Sequence, residues 1–483
     1  MNNRKKYLGA LAGLLLSFGA TAQEAEVWSL EEAIQHAVSN NLTVEQARLD
    51  VQQSEINLNQ ARHNQLPTFN ANTQAGFNWG RSIDPTTNDF VNTEIKFASG
   101  SVSGNLLLFN GFSLRNNIKS NEANVLASQA QLKAISNNIT LSVANQYLNV
   151  LFAKEQIRIA ESQLETTSEQ VDRTRRLVDA GVLPASNLLE FQAQLASNRR
   201  DLIQAENSLA IAKLNLKQLL RLPAEEEIEV ESPDLDVATL DVLEQSSDEI
   251  YQNAEQVLPQ IESADKSVES SEYSVESARG EYYPTLSLGG SLRTNYSSLG
   301  ESRTLIGDPI MVVDTVGYLA SDQSELVVIE GLDFERNIES GIGVWQQFDE
   351  NFSQSAFISL NIPILNGFRT RNNVQRASIN QRRAELQALQ VRQDLRQSIE
   401  TAYTDVVTSS ESFEASQQQV ESLEEAFRAT EKQYNVGALN FVDYQLASNN
   451  LFRARSELLR ARFEYIFKKK ILEFYQGQPI TLD

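Results

Sequence analysis

The most informative absence in this chain of 483 residues is cysteine, of which it has none. Without cysteine, the chain cannot form disulfides, use a thiolate nucleophile or ligate a metal through sulfur. Histidine is also rare: only His36 and His63 occur, and their separation is not that of a metal site. The sequence contains no constellation of catalytic groups, so we expect neither an enzyme nor a bound cofactor or metal.

Long apolar runs and positive charge are scarce as well. Beyond the first 22 residues, no run approaches the roughly 20 apolar residues that a transmembrane helix needs. The 41 basic residues against 64 acidic ones give a net charge of -23, which argues against nucleic acid as a partner. Residues 1–22 have the form of a signal peptide, with basic residues first, a short apolar core and the cleavage site Ala20-Thr21-Ala22. We therefore expect an exported protein that is either soluble or inserted in a membrane as β-strands.

The chain does contain a duplicated strand-to-helix junction. Asn110-Gly111-Phe112 recurs as Asn366-Gly367-Phe368, an offset of 256 residues, and Gly181 recurs as Gly437 at the same offset. An earlier segment repeats at an offset of 217, with Pro67-Thr68 returning as Pro284-Thr285. The two offsets differ by 39 residues, which are extra sequence in the second half. Each half is predicted to run helix, strand, loop, strand, long helix, turn, long helix.

This repeat predicts the domain organisation. The segments are a signal peptide at 1–22, a first repeat at 23–222, an acidic linker at 223–249 and a second repeat at 250–483. The second repeat carries a long inserted loop at 297–350, which either remains an extended surface loop or forms its own hairpin.

Apolar residues recur every seven positions in both halves, a pattern typical of coiled-coil packing. Val143, Val150 and Val171 lie on one such seam, and Ile399 and Val406 lie on its counterpart. Each seam stops at a glycine, a residue that tolerates the left-handed position at a helix C-terminus. We expect two long antiparallel helical hairpins that turn at 178–183 and 434–439. Ser29 and Glu32 predict a capping box at the first helix.

After Pro67 and Pro284 the pattern changes to strict alternation of apolar and polar residues. These strands, with two more at roughly 94–109 and 352–365, fit a transmembrane β-barrel. A soluble sandwich with one wet face shows the same alternation, but four strands cannot close a barrel, so several copies would have to pool theirs. The aromatic residues expected at the membrane interfaces are Trp79, Tyr282, Tyr283, Tyr296 and Trp345.

Taken together, these motifs resemble the TolC-like outer-membrane efflux protein family, the outer-membrane factors of tripartite efflux and type I secretion systems. The resemblance covers essentially the whole mature chain. It implies a mostly α fold with a β-barrel portion, in which helical hairpins form an α-barrel and four strands per protomer join a trimeric twelve-stranded barrel. It also implies an outer-membrane location with helices in the periplasm, and no enzymatic activity. The implied partners are two further copies of the chain, outer-membrane lipid, a periplasmic adaptor (membrane fusion) protein and, through it, an inner-membrane pump or secretion ATPase.

The resemblance also assigns roles to particular residues. The strand-helix junctions are Asn110, Gly111, Asn366 and Gly367, and the adaptor-docking tip is Gly181, Val182, Leu183, Gly437, Ala438 and Leu439. Residues of the tip can equally be turn formers only. The candidate periplasmic gate is Tyr434, Asp443 and Asn187. Because leucines and Asn187 replace charged positions of the family's lock, we hypothesise a gate held by apolar packing and hydrogen bonds, although Tyr434 also fits pure seam packing.

The predicted function is therefore the exit duct of a tripartite efflux or secretion system, which passes small molecules or proteins to the exterior. The alternative is an exported periplasmic coiled-coil scaffold without a pore. Such a scaffold does not explain alternating strands joined to long helices at matching junctions.

Overall fold

The computed structural model describes residues 26–83, 88–92, 94–232 and 245–480. The predicted signal peptide and residues 233–244 of the expected linker lie outside these ranges. The helices are α1 (Leu30–Asn40), α2 (Leu42–His63), α3 (Ser113–Asp179), α4 (Ala185–Leu220), α5 (Ser247–Val257), α6 (Pro259–Gly280), α7 (Val344–Glu350), α8 (Arg369–Asn435) and α9 (Phe441–Tyr475). The strands are β1 (Glu26–Trp28), β2 (Thr68–Asn78), β3 (Arg81–Ile83), β4 (Phe90–Asn92), β5 (Ile95–Asn110), β6 (Ile228–Val230), β7 (Thr285–Ser297), β8 (Glu301–Leu319), β9 (Asp322–Ser340) and β10 (Ser353–Asn361). The chain is thus mostly helical with a smaller set of strands.

The chain divides into two compact units. The first consists of the chain up to Val51, Ser128–Ser263 and Leu389–Asp483, and the second of Gln52–Ala127 and Ala264–Ala388. Among the described residues, no helix combines the length and apolarity needed to cross a membrane.

The core of the first unit is built from the seven-residue seams of its helices. Val143 and Val150 on α3 are fully buried, as is Ile399 on α8. They belong to two separate apolar clusters, one that also contains Leu216 of α4 and one that also contains Leu472 of α9. The seam residues are buried because a seven-residue spacing keeps them on the face that each helix turns towards its neighbours.

Short polar and extended segments complete the first unit. The strands β1 and β6 pair in parallel, so part of the expected linker has regular structure. The predicted capping box is present: the Ser29 hydroxyl accepts a hydrogen bond from the Glu32 amide at 3.2 Å. A second box at the start of α5 joins Ser246 and Glu249 in the same way, 217 residues further along.

The second unit contains a four-stranded antiparallel sheet in the order β10-β7-β5-β2. Strand β10 was expected to continue to about residue 365 but ends at Asn361. Pro363 follows two residues later, and because proline has no amide hydrogen it cannot extend the ladder. Helices α2 and α6 lead into β2 and β7, and α3 follows β5, all at the same end of the sheet. The connections β2–β5 and β7–β10 leave from the opposite end.

Helices α3 and α6 of this unit are held together by serines. The Ser120 hydroxyl lies 2.8 Å from the Ser274 hydroxyl. Seven residues earlier on α3, the Ser113 hydroxyl lies 3.1 Å from the hydroxyl of Ser277. Gly280 extends this close packing, since a Cβ added there would lie 2.7 Å from the Cβ of Ser113. Small side chains therefore allow the two helices to approach closely where they meet the sheet.

The inserted loop forms its own hairpin, which decides between the two alternatives left open by the sequence. Strands β8 and β9 have 19 residues each and pair with each other in an antiparallel ladder with three irregularities. The short helix α7 follows the hairpin and packs on β7.

Candidate functional site

The sheet of the second unit has one apolar face and one polar face. The register places Ala71, Val102, Leu292 and Gln354 in one row across the four strands, and Phe69, Ile358 and Leu360 lie on the same face in other rows. The opposite face is lined by short polar side chains: Asn70, Asn72, Ser101, Ser103, Ser291 and Ser355. Nothing in the described part of this unit covers the apolar face, where Phe69 and Ile358 are largely exposed. An exposed apolar face of this kind marks a surface that contacts a membrane or another protein.

Three phenylalanines lie directly over glycines on the neighbouring strand: Phe69, Phe97 and Phe357. Phe69 is opposite Gly104, and a Cβ added to Gly104 would come within 2.7 Å of its ring. Phe357 covers Gly289 in the same way on the polar face. These glycines therefore provide the space in which large rings lie flat along the sheet, which fixes the register of the pairs.

The predicted interfacial aromatics lie at both ends of the sheet. Tyr282 and Tyr283 are exposed in the turn before β7, at the end next to the helices. Trp79, Tyr296 and Trp345 lie at the other end, and the Trp79 indole donates a hydrogen bond to Glu94 at 3.3 Å. The apolar face lies between these two groups of aromatic residues, and their role as interfacial girdles of a membrane barrel stays a prediction.

The two Asn-Gly-Phe junctions have the same backbone conformation. Gly111 and Gly367 have φ angles of +64° and +62°, and the phenylalanines that follow them are also in the left-handed region. At the first junction, the Asn110 side chain accepts a hydrogen bond from the Leu114 amide at 3.3 Å and caps α3. At the second, the Asn366 amide group donates to the Thr370 hydroxyl at 2.7 Å. Each asparagine thus supports the first turn of a helix of 67 residues.

The predicted tip residues lie in the two turns between long helices. Gly181 (φ +71°) and Gly437 (φ +77°) end α3 and α8, and the residue after each glycine donates its amide to a carbonyl five residues earlier. This is the six-to-one bond of a Schellman C-cap, and it allows the chain to reverse. Val182 is 66% exposed, Leu183 and Leu439 are half-buried, and Ala438 is exposed. The turns therefore present small and apolar groups at their surface.

An aromatic cluster lies just behind these turns. Its centre is Phe191 of α4, which is 1% exposed and lies 4.5 Å from the Phe441 ring, centroid to centroid. Tyr434 stacks on Tyr444 at 4.7 Å. Burial raises the pKa of Tyr444 to about 12 and also raises the pKa of Tyr434. The cluster connects α8, α9 and α4, and burial within it favours the neutral form of both tyrosines.

The three candidate gate residues have different local roles in the structure. Tyr434 belongs to the aromatic cluster, in agreement with its position on the seam. Asp443 takes part in the N-cap of its own helix, where its amide donates to the Asn440 side chain at 2.9 Å. Asn187 is half-buried in the first turn of α4. Within one chain, Tyr434 therefore lies in the aromatic cluster, whereas Asp443 and Asn187 lie in the first turns of α9 and α4.

Two residues of this region were not anticipated. Phe191 lies three positions after the α4 seam residue Leu188, so a search along the seam alone does not find it. Arg173 on α3 donates a hydrogen bond to the Asn435 side chain at the end of α8. This basic group lies about two helical turns before Gly181. A search confined to the turn residues of the two hairpins therefore misses it.

Comparison with known proteins matches one family to most of the chain. A model of the family described as outer membrane efflux protein matches residues 33–220 and 250–466. Outer membrane efflux protein BepC of Brucella suis is 24% identical over 463 residues, which cover 95% of this chain and 88% of BepC. Outer membrane protein TolC of Escherichia coli is 22% identical over 481 residues, covering 96% of this chain and 85% of that protein.

Solved structures show the same fold. The crystal structure of CusC superimposes with a TM-score of 0.73 at 19% identity, covering 93% of this chain and 92% of that one.

Proposed function

The chain belongs to the outer membrane efflux protein family, and we propose that it acts as the exit duct of a tripartite assembly, with three copies forming the duct. It is an outer-membrane efflux protein, as its family and its curated relatives indicate. The cargo classes compatible with such a duct are small molecules and proteins delivered from the inner membrane.

The observation that carries the proposal is the two-faced sheet. Its apolar face has no cover in the chain, its polar face is lined by serine and asparagine, and each of its outer strands, β2 and β10, has one edge that pairs with no other described strand. An open edge cannot face lipid, because each unpaired backbone group costs several kcal/mol there. Pairing β2 of one copy with β10 of the next removes the edges. Three copies then supply twelve strands, with the apolar face towards lipid and the polar face towards a water-filled lumen.

The roles of the tip and the gate follow from the family resemblance. The exposed small and apolar residues at Gly181–Leu183 and Gly437–Leu439 provide a surface for a helical hairpin of a periplasmic adaptor, through which an inner-membrane pump is connected. The aromatic cluster at Tyr434 supports a gate that closes by apolar packing. Asp443 and Asn187 would contribute hydrogen bonds across neighbouring copies.

The pore is tested by purifying the full-length protein in detergent, determining its subunit number by native mass spectrometry and inserting it into planar bilayers. We expect a trimer that conducts ions. A protein that fractionates with the outer membrane but neither forms trimers nor conducts would refute the proposed duct and favour the scaffold without a pore.

The adaptor contact is tested separately with a photoreactive amino acid at Leu439 in living cells. We expect a covalent product with a periplasmic adaptor. The matched control carries the same group at Leu386, which is exposed on α8 far from the turn in sequence. Equal capture at both positions, or capture at neither when the protein is abundant in the outer membrane, would refute docking at the tip.

A further inference from the structure

The β8–β9 hairpin is much longer than the described part of the corresponding connection in the first half of the chain. The connection between β2 and β5 spans residues 79–94, and its described residues form the three-residue strands β3 and β4. The connection between β7 and β10 spans residues 298–352 and contains two strands of 19 residues. Both connections leave the sheet at the end opposite the helices. In the proposed duct this is the external end, so the long hairpin lies at the mouth.

The base of the hairpin is firmly attached to the sheet. Gln347 of α7 is 1% exposed, and its side-chain carbonyl accepts a hydrogen bond from the Ser297 amide at 3.0 Å. Its side-chain amide donates to the carbonyls of Ser297 and Ile342 at 2.9 Å and 3.0 Å. Gly300 leaves room for this side chain, since a Cβ there would lie 2.4 Å from its oxygen. A buried glutamine that holds both flanks of the hairpin fixes the position from which the hairpin starts.

The hairpin itself carries apolar side chains on both faces. Met311 and Leu332 are opposite each other on one face, and Val312 and Ile329 lie on the other. Met311, Leu332 and Ile329 are each more than half exposed. A lone two-stranded hairpin is only marginally stable in water, and each strand here has one edge that no other described strand pairs with. Further strands or another surface are needed to cover it.

Lipid is a poor cover for this hairpin because charges are spread along it. Residues 301–340 contain nine acidic and two basic residues, among them Asp314 and Glu330 in the central part of the ladder and Asp308 at the irregularity between Ile306 and Ile310. A carboxylate in the hydrocarbon region is costly, and these three are separated along the strands so that no single face avoids them.

The distances favour another copy of the same hairpin. Twelve strands about 4.8 Å apart and tilted by about 40° enclose a ring roughly 24 Å across. A strand of 19 residues is about 60 Å long, so each hairpin can cross the mouth and reach its two neighbours. Three hairpins tethered to one ring also meet at a high effective concentration, which favours their mutual contact over a free partner.

We propose that the β8–β9 hairpins of neighbouring subunits pair edge to edge, with β8 of one copy along β9 of the next, and together form a cap over the external mouth of the duct. This inference rests on the proposed trimer. It removes the exposed edges of all three hairpins and covers part of their apolar side chains. The negative charge of each hairpin opposes the association, so the cap strengthens as salt screens the carboxylates.

The test uses full-length protein in outer membranes, with photoreactive benzoylphenylalanine in place of Ile329. The matched control places the same group at Phe90 on β4, which is 68% exposed at the same end of the sheet but on a hairpin with three-residue strands. We expect covalent dimers of this chain at position 329, about tenfold more than at position 90, because both hairpins are tethered to the ring but only the long one reaches and pairs with its copies. Peptide mapping should place the cross-links in β8 of the neighbour.

Salt and subunit number separate the possible outcomes. Dimer yield that rises between low and high salt supports the cap, whereas capture of a different protein that weakens with salt overturns it in favour of a basic partner. Cross-links confined to one chain, or only to lipid, also overturn it. If native mass spectrometry shows a trimer without cross-linked dimers, the cap alone is refuted. If the protein is not a trimer, the proposed duct fails as well.

A shortened variant gives a second readout. Replacing residues 306–335 by Asn-Gly keeps the pair Leu305 and Arg336 and closes the hairpin with a tight turn. We expect trimers with a larger single-channel conductance or open fraction than the wild type in bilayers. Unchanged conductance would overturn the closure of the mouth by the hairpins.

Discussion

The two Asn-Gly-Phe junctions allow a controlled test of how the second unit is packed. Gly111 and Gly367 share a left-handed backbone conformation, but their surroundings differ. A Cβ added to Gly111 would lie 2.3 Å from the carbonyl oxygen of Gly280 and 2.6 Å from the Cβ of Tyr283. A Cβ added to Gly367 would meet nothing within 4 Å. Gly111→Ala and Gly367→Ala are therefore the same chemical change with and without a steric clash.

The expected magnitudes follow from these two contributions. An alanine held in the left-handed region costs about 1–2 kcal/mol, and both variants bear this cost. Gly111→Ala also forces a backbone carbonyl to move, which adds roughly 1–3 kcal/mol of overpacking. A carbonyl cannot rotate away as the end of a flexible side chain can, because it belongs to the helix that the serines hold against α3. The free energy of unfolding should fall by about 2–5 kcal/mol for Gly111→Ala and by about 1–2 kcal/mol for Gly367→Ala.

The assay is urea unfolding of the detergent-solubilised protein, followed by the fluorescence of its three tryptophans. Gly280→Ala supplies a third comparison, because its Cβ would lie 2.7 Å from that of Ser113. We expect Gly111→Ala and Gly280→Ala to lower the urea midpoint more than Gly367→Ala does. Equal shifts for Gly111→Ala and Gly367→Ala would show that the close contact between α3 and the end of α6 does not decide stability, and would refute the reasoning.

Two further predictions concern the hairpin base and the aromatic cluster. Gln347→Ala leaves the backbone amide and carbonyl of Ser297 without their buried partner, which costs about 1–3 kcal/mol for each group. Limited proteolysis within residues 301–340 should therefore become faster. The control Gln346→Ala removes only an exposed contact to Glu350 and should leave the cleavage rate unchanged. Burial raises the pKa of Tyr444 from 10.0 to about 12, so its stabilising contribution is complete below pH 10 and is lost as the pH rises towards 12. The urea midpoint of Tyr444→Phe should therefore fall less steeply between pH 10 and 12 than that of the wild type, and parallel profiles would contradict this assignment.

The elements that the sequence predicted well are those with local signals. Glycine with a positive φ ends α3 and α8 at the expected turns, because the conformation of a helix C-cap depends on a few neighbouring residues. Alternation between Phe69 and Phe77 predicted β2, because successive side chains of a strand point to opposite faces of its sheet and the two faces of this one differ in polarity. The capping box at Ser29 and Glu32 is equally local. The same box at Ser246 and Glu249 was overlooked, although the 217-residue offset pointed to it.

The parts that escaped prediction depend on contacts between distant residues. The pairing of β1 with β6 joins three-residue strands about 200 positions apart, which are too short to show any periodicity. Phe191 lies in the aromatic cluster because α4, α8 and α9 meet there, not because of its own seam. The β8–β9 ladder contains irregularities between Ile306 and Ile310 and between Thr315 and Gly317, which interrupt the alternation that would have identified the strands.

The two units differ in how completely one chain can satisfy them, and this difference bears on the assembly. In the first unit, helix seams such as Val143 and Ile399 are buried by other helices of the same chain. In the second, the described residues form a four-stranded sheet with an apolar face that none of them covers, and a long hairpin with two edges that no other described strand pairs with. Hydrophobic burial within one copy can therefore stabilise the first unit, whereas in the proposed duct the second unit gains lipid on its apolar face and a strand of another copy on each open edge of its sheet. A chain with this division would fold its helical parts alone and complete its sheet only on insertion and association. Assembly in the membrane is then the step at which the duct and the proposed cap form together.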